Sequence, residues 1–459
     1  MEETHFGVPV SLRYHRSTLS KRHQDVIDRL ARAVEQYQES IILPSDLKVY
    51  NADMGLISKA FELDYPEVWW TAPANYAMQG GIVVRVNFKP FDQQFVRQAH
   101  ATILEVVERF KRTLKQRSTM EPYDIVRCIH DFIVLYCDYS ESGAGSTNLD
   151  YRHTIYGFFT LGCGVCEGYT ETFLFLCYQY GIPALKVVGL GNGSRHSWNM
   201  LQLNGTWYHA DLTWDDPMGK AKSAKTAQRF CSHLYMNVSD DYIKLEHKID
   251  SDFPYPSATS MDCNYHVVSD SFLAPGLSDH DLIEAVARGC IKYLDSGYDQ
   301  AEFLIDVRLR HQAVIEMVHE NAYNILYYIR QNTDHEVALN SISFTGGQSN
   351  YPSFGFHFKM DPSISVYRGA VLQKFDQHEV QQMASAIADA VNAGKTSVLF
   401  TFDPTQPFQA SMDRFSGVVF DALRMASERC TRGTLLADSF NYSTNADRHA
   451  YCLIMKVSA

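Results

Sequence analysis

Apolar residues recur at helical spacing in three stretches ahead of residue 140. Lys21 to Glu39 lines up Val26, Ile27, Leu30, Ala31 and Val34, and Phe95 to Leu114 lines up Ile103, Val106, Val107 and Phe110. Glu121 to Tyr139 carries Ile125, Ile129, Phe132 and Tyr136 on one stripe. Each stretch predicts an amphipathic helix. Between the first two, Tyr65-Pro66-Glu67-Val68-Trp69-Trp70 leads into the strand-like run Gly81 to Val86, and the paired tryptophans are read as packing residues. A fourth helix is predicted from Tyr169, with Phe173, Leu176 and Tyr180 on its buried stripe. It stops at Gly181-Ile182-Pro183, a glycine with proline shortly after it, as helix ends prefer.

The dipeptide Asn204-Gly205 stands between two alternating runs. A two-residue type I′ turn needs positive φ at both positions, so this pair predicts a β-hairpin. Its register sets Leu203 opposite Thr206, Trp198 opposite Asp211 and His196 opposite Thr213. Because strand side chains alternate, His196, Trp198, Met200 and Gln202 share a face with Trp207, His209, Asp211 and Thr213. His196 and Asp211 become diagonal neighbours, roughly 7–8 Å apart at the backbone, a gap that two side chains can bridge.

Past residue 270 the pattern repeats. Helix (Asp281 to Leu294), strand (Glu302 to Leu309), helix (Gln312 to Ile329) and two strands (Val337 to Phe344, Phe354 to Lys359) are followed by the same order. The second set is Glu379 to Val391, Ser397 to Phe402, Arg414 to Cys430, Thr434 to Tyr442 and Tyr451 to Val457. Two αβαββ units predict a duplicated α+β module. It holds no glycine-rich phosphate loop and no metalloprotease helix motif, so recognition, core support or assembly is its expected work. The proline-containing polar stretch from Asp250 to Ser271 reads as the linker before it.

With 459 residues the chain exceeds one ordinary core, and two or three domains are expected. A hydrophobic share of 46% is that of a globular protein, and no apolar run approaches the roughly 20 residues of a membrane span. The first residues lack the apolar segment of a secretory signal, so the expected location is cytoplasmic. Ten cysteines scattered through predicted helices and strands read as reduced thiols. A net charge of −12 argues against nucleic acid as a partner.

The candidate chemistry is concentrated between Gly162 and Pro217. Cys166 stands among Gly162, Gly164 and Gly168 at or just before a helix N-terminus. Unpaired N–H groups and the helix dipole there favour a thiolate, lowering a cysteine pKa from about 8.5, and could also hold an oxyanion. Asp211 would fix the imidazole tautomer of His196, leaving His196 to face Cys166. Cys163 and Cys166 also form a C-x-x-C, which elsewhere serves redox work or half a zinc site. Redox work expects a parallel βαβ context and zinc a second close ligand pair, and His196 and His209 are too far apart in sequence for the finger pattern. No metal or cofactor is therefore expected.

The run from Tyr156 to Pro217 resembles the core of the transglutaminase-like superfamily in its bacterial branch. The matching blocks are G-x-C-x-G-Y at Gly164 to Tyr169, H-x-W-N at His196 to Asn199, and W-Y-H-x-D-x-T-W-D-D-P at Trp207 to Pro217. The predicted helix at Glu121 to Tyr139 is similar to the one preceding that core, and Tyr156 is read as a packing aromatic. The resemblance implies Cys166 as nucleophile, His196 as general base and Asp211 as the orienting acid, while Cys163 lies outside the pattern. It implies a papain-like core at 119–250 with an N-terminal accessory region at 1–118, and with the duplicated domain read from the repeated pattern at 272–459 the expected fold class is α+β. Activity is expected to be hydrolysis of a peptide or amide bond in a peptide or protein substrate. Transfer to a lysine amine, or a non-catalytic interaction protein retaining the fold, are the alternatives.

Overall fold

Three of the predicted amphipathic helices form close to their expected limits. Ser20 caps the first by accepting from the His23 N–H, and α1 runs Lys21–Glu35 with Val26, Ile27, Leu30 and Val34 fully buried. The structure is a computed structural model that describes residues 3–115, 120–140, 151–216, 230–332, 337–346, 351–360, 366–403, 405–445 and 450–458. The described chain divides into two units, Met1–Ser269 and Asp270–Ala459.

In the first unit, β1 (Ser40–Ile42), α2 (Asn51–Asp64), β2 (Pro73–Gln79) and β3 (Ile82–Phe88) precede two long helices. The helices are α3 (Gln93–Lys115) and α4 (Pro122–Tyr136). The three strands form a small sheet in the order β1-β3-β2. Helix α5 (Cys166–Gln179) follows, buried from Gly168 through Tyr178. It is the central helix of the unit. Against it lies an antiparallel sheet built from β4 (Ala184–Gly191), β5 (Ser194–Leu203) and β6 (Thr206–Ala210). After the four-residue α6 (Leu212–Asp215), β7 (Met236–Val238) and β8 (His247–Ile249) complete five strands in the order β7-β6-β5-β4-β8. One hydrophobic cluster extends from Val8 to Phe253, so the N-terminal elements and the sheet bury one continuous core. Among the described residues no helix is long and apolar enough to cross a membrane.

The hairpin turns as its sequence predicts. Asn204 and Gly205 have φ of 51° and 80°, and Leu203 pairs with Thr206. The pairing ends sooner than expected, at Asn199 with Ala210. Asp211 then caps α6 by accepting from the N–H groups of Thr213 and Trp214, so the chain turns into a helix and Thr213 never pairs with His196.

The second unit contains two four-stranded sheets. The first comprises β9 (Phe272–Leu273), α7 (Asp279–Asp295), β10 (Gln300–Ile305), α8 (His311–Glu320), α9 (Ala322–Asn332), β11 (Val337–Gly346) and β12 (Ser353–Met360). The second comprises β13 (Val366–Leu372), α10 (Gln377–Asn392), β14 (Ser397–Phe402), α11 (Phe408–Ser427), β15 (Thr434–Asn445) and β16 (Ala450–Ser458). Strand orders are β9-β10-β12-β11 and β13-β14-β16-β15. Each half begins with a strand that the αβαββ reading lacks, paired parallel to the next strand. The single helix expected at Gln312 to Ile329 is two helices, divided at Asn321, whose side-chain amide donates to the Met317 carbonyl at 2.9 Å. Asparagine competes in this way with the helix's own backbone bonds.

Candidate active site

Helix α5 starts at Cys166, and the preceding Val165 has no side chain that could cap the first turn. The partial positive charge of that turn is therefore directed at the thiol end. The segment Tyr151–Thr154 crosses close by, with the Arg152 carbonyl accepting from the Val165 N–H at 3.1 Å. A Cβ at position 168 would stand 2.3 Å from that carbonyl oxygen, so only glycine permits the crossing. The Cys166 thiol is part-buried, with His196 and Ser197 close enough to act on its charge. Burial alone would raise the thiol pKa, but His196, helped by Ser197, holds it below the ordinary cysteine value.

His196 lies near the start of β5, and its Nε2 donates to Asp211 Oδ2 at 2.6 Å. With Nε2 engaged, Nδ1 is the nitrogen left for the thiol. Burial works against a charged imidazole, yet the adjacent Asp211 carboxylate outweighs it and lifts His196 to about 10. Asp211 is itself buried and would be raised by desolvation, but its two imidazole neighbours keep it well below the usual carboxylate range. His247 Nε2 meets the same Oδ2 at 2.9 Å, while Oδ1 accepts from the N–H groups of Thr213 at 3.0 Å and Trp214 at 3.3 Å. The Trp214 ring lies against both histidines, with centroids 5.5 Å from His196 and 4.2 Å from His247. Gly191 permits this stack, since a Cβ there would come within 3.0 Å of both the Trp214 and the His196 rings.

A second layer holds these groups in place. Trp198 Nε1 donates to His209 Nδ1 at 3.1 Å, so His209 carries its proton on Nε2 and donates to Asp240 Oδ1 at 2.9 Å. Asn199 donates to the Thr170 carbonyl at 3.1 Å, joining β5 to α5. Glu167 follows Cys166 in the first turn and would oppose a thiolate were it unpaired. Lys186, 1% exposed, bonds Glu167 at 2.6 Å and Glu171 at 2.5 Å, and His153 reaches Glu167 at 2.8 Å. Burial pushes Glu167 up, but Lys186 and His153 outweigh it and hold the carboxyl at about 2.

Of the residues named from sequence, His196 and Asp211 are hydrogen-bonded, and Cys166 opens α5 near enough to His196 for the imidazole to act on its thiol. Cys163 is not among them: it lies in the two-residue strand Cys163–Gly164, paired with Asp138–Tyr139. Tyr156 packs face to face on Trp69 at 4.5 Å, and Trp69 and Trp70 are both buried. A cavity of about 350 Å³ opens among Phe61, Tyr65, Trp69, Lys89, His153 and Glu167. Sequence reasoning missed His247, Trp214 and Lys186. For Trp214 the Trp-Asp-Asp-Pro block was a signal, whereas nothing local marks His247, which reaches Asp211 only because β8 pairs with β4 at Gly189 to Gly191.

Residues 111–212 match the family model of the transglutaminase-like superfamily. No curated protein matches the chain. Among solved structures, a TGase is 12% identical over 41% of this chain and 51% of its own, with a TM-score of 0.22. A proposed cysteine protease from Cytophaga hutchinsonii is 16% identical over 28% of this chain and 51% of its own, at 0.20. Menin, in a structure titled for its binding site for the Mixed Lineage Leukemia (MLL) protein, is 10% identical over 74% of this chain and 68% of its own, at 0.21. The chain thus spans about half the length of the first two.

Proposed function

Because the chain carries a core of the transglutaminase-like superfamily, we propose that it is a thiol-dependent acyl-transfer enzyme hydrolysing a peptide or amide bond. One arrangement supports this reading: the His196 ring stands between the Asp211 carboxylate and a Cys166 thiol at a helix start. In the proposed reaction the Cys166 thiolate attacks the carbonyl carbon, forming the S–C bond, and the first-turn N–H groups of α5 hold the oxyanion. The C–N bond breaks as His196 gives its proton to the leaving amine. His196 then takes a proton from water, whose oxygen attacks the thioester and releases the thiolate. A lysine amine in place of water would make the same intermediate a cross-linking step. Free thiols at the nine described cysteines fit a reducing compartment such as the cytoplasm.

We also propose that the two halves of the second unit arose by duplication, since their strand adjacency agrees and their element order does so once α8 and α9 are taken as one divided helix. Their contribution is to substrate recognition or assembly. The activity test has two arms. Brief treatment of the full chain with iodoacetamide, followed by peptide mapping, is expected to modify Cys166 ahead of the other nine cysteines, and Cys166→Ala to remove that fast phase while Cys163→Ala keeps it. A peptide library, with and without a fluorescent primary amine, then separates new amino termini from amine incorporation. Uniform slow alkylation together with neither product would sink the enzymatic reading.

A further inference from the structure

Below the candidate triad lies a second group of metal-type ligands. His130 and Asp131 come from α4, and Cys231 and His233 from the segment leading into β7. One ligand atom from each of the four lies within 4.8 Å of the others. The Cys231 sulfur is 3.9 Å from His130 Nδ1 and 3.7 Å from Asp131 Oδ1. Asp131 Oδ1 is 3.2 Å from His130 Nδ1 and 2.7 Å from His233 Nε2. Zinc bonds of about 2.0–2.3 Å at tetrahedral angles hold ligand atoms roughly 3.3–3.8 Å apart. Three of these four spacings fall within a few tenths of an ångström of that range, and the fourth is a hydrogen-bond length that an ion would open. His130, Cys231 and His233 are nearly inaccessible to solvent, at 1%, 3% and 4%.

We propose that His130, Asp131, Cys231 and His233 form a structural zinc site. The ligand set is two imidazoles, one thiolate and one carboxylate, which fills a tetrahedron with protein groups and leaves no open position. His130 is oriented as metal-bound histidines commonly are: its far nitrogen, Nε2, contacts the Asp215 carboxylate at 3.0 Å, so Nδ1 faces the cluster. Asp215 is held in turn by the Tyr235 N–H at 3.0 Å and the Ser232 hydroxyl at 3.4 Å. The His233 ring stacks on Tyr265 at 3.7 Å with planes 7° apart. Zinc bound here would require a deprotonated thiol and neutral imidazoles. Asp215 ends α6, which opens at the Asp211 cap and carries Trp214, so the ion would clamp the element that shapes the His196 side of the triad.

The test uses the full chain. Purified after growth with zinc, it is expected to hold one zinc per chain by elemental analysis. Cobalt exchanged into that site is expected to give tetrahedral d–d absorption together with a thiolate-to-cobalt charge-transfer band. The charge-transfer band disappears in Cys231→Ser and persists in Cys166→Ala, which separates this site from the triad cysteine. Asp215→Asn, which keeps all four ligands, weakens zinc about 10- to 100-fold in competition with a chelator. Folded wild-type protein that retains neither zinc nor cobalt overturns the proposal, and so does a thiolate band that survives Cys231→Ser or vanishes in Cys166→Ala. Should Cys231→Ser fail to fold, the wild-type spectrum and the Asp215→Asn affinity decide.

Discussion

His196 and His247 meet the same oxygen of Asp211, at 2.6 and 2.9 Å. The other oxygen accepts two backbone N–H groups, so every face of this buried carboxylate looks at a donor. An asparagine at 211 must turn its NH2 either toward the imidazoles or toward the backbone donors, and one side is mismatched in each case. In the serine triad, a worked case, the equivalent change costs about 10⁴-fold in kcat by favouring the wrong tautomer. A thiolate needs less help from its base, so Asp211→Asn is expected to lower turnover roughly 10²- to 10³-fold with the fold retained. Single-turnover acylation measured beside thermal unfolding checks this. Wild-type turnover would mean that another group orients His196.

The Cys166–His196 pair fixes a pH window. Cys166 lies below its ordinary value and His196 is raised to about 10, so the thiolate–imidazolium form appears as pH rises through the first and ends at the second. Alkylation at Cys166 is expected to have its midpoint below the roughly 8.5 of a free cysteine. Acyl transfer should fall again as pH approaches about 10 and His196 loses the proton for the leaving amine. The sign for stability follows from the same shift. A histidine whose folded value exceeds its unfolded 6.5 contributes fully below that value, and the contribution fades as pH climbs toward about 10. Thermal unfolding of wild type against His196→Gln across this range reads the difference, and parallel curves would refute it.

The elements that carry the candidate site were legible because their determinants are local. Asn204-Gly205 fixes the hairpin register, and Gly168 with the helical stripe after it fixes where α5 begins. The end of the hairpin was not legible, because Asp211 pairs like a strand residue in pattern and acts as a helix cap in fact. His247, Lys186 and the group at His130 and Cys231 escaped for another reason. Their partners are 36, 15–19 and about 100 positions away, and only the folded chain juxtaposes them. The opening strands β9 and β13 were missed for brevity in one case. Phe272–Leu273 has two residues, too few for alternation to register.

Lys186 offers a test of the helix start. Its ammonium is buried between Glu167 and Glu171, and burial already lifts Glu171 to about 7 despite the attraction of the lysine. Lys186→Met keeps the stem's volume but leaves carboxylates buried without their cation. Breaking a buried ion pair from one side costs about 3–5 kcal/mol, so a clear fall in Tm is expected. Adding Glu171→Gln should recover part of it. Glu167, less well compensated beside Cys166, should also move the alkylation midpoint to higher pH. A stable Lys186→Met protein with an unmoved midpoint would show that this triad of charges does not act on the thiol.

The candidate triad lies wholly in the unit Met1–Ser269, whose hydrophobic cluster runs from Val8 to Phe253, while a separate cluster from Leu372 to Met455 packs the later half of the second unit. Each core is closed by residues of its own unit. A chain ending at Ser269 is therefore expected to unfold cooperatively, and its Cys166 to alkylate within about twofold of the full-length rate, since the thiol's partners His196 and Ser197 and the carboxylate of Asp211 are all present. Binding of a peptide substrate, the work proposed for the paired sheets, should weaken in the same truncated chain. Alkylation rates and substrate affinity measured on both chains, each first checked by denaturant unfolding, separate the two roles. A truncated chain that folds but whose Cys166 has become inert would mean that Asp270–Ala459 helps to build the site, and the division of labour would fail.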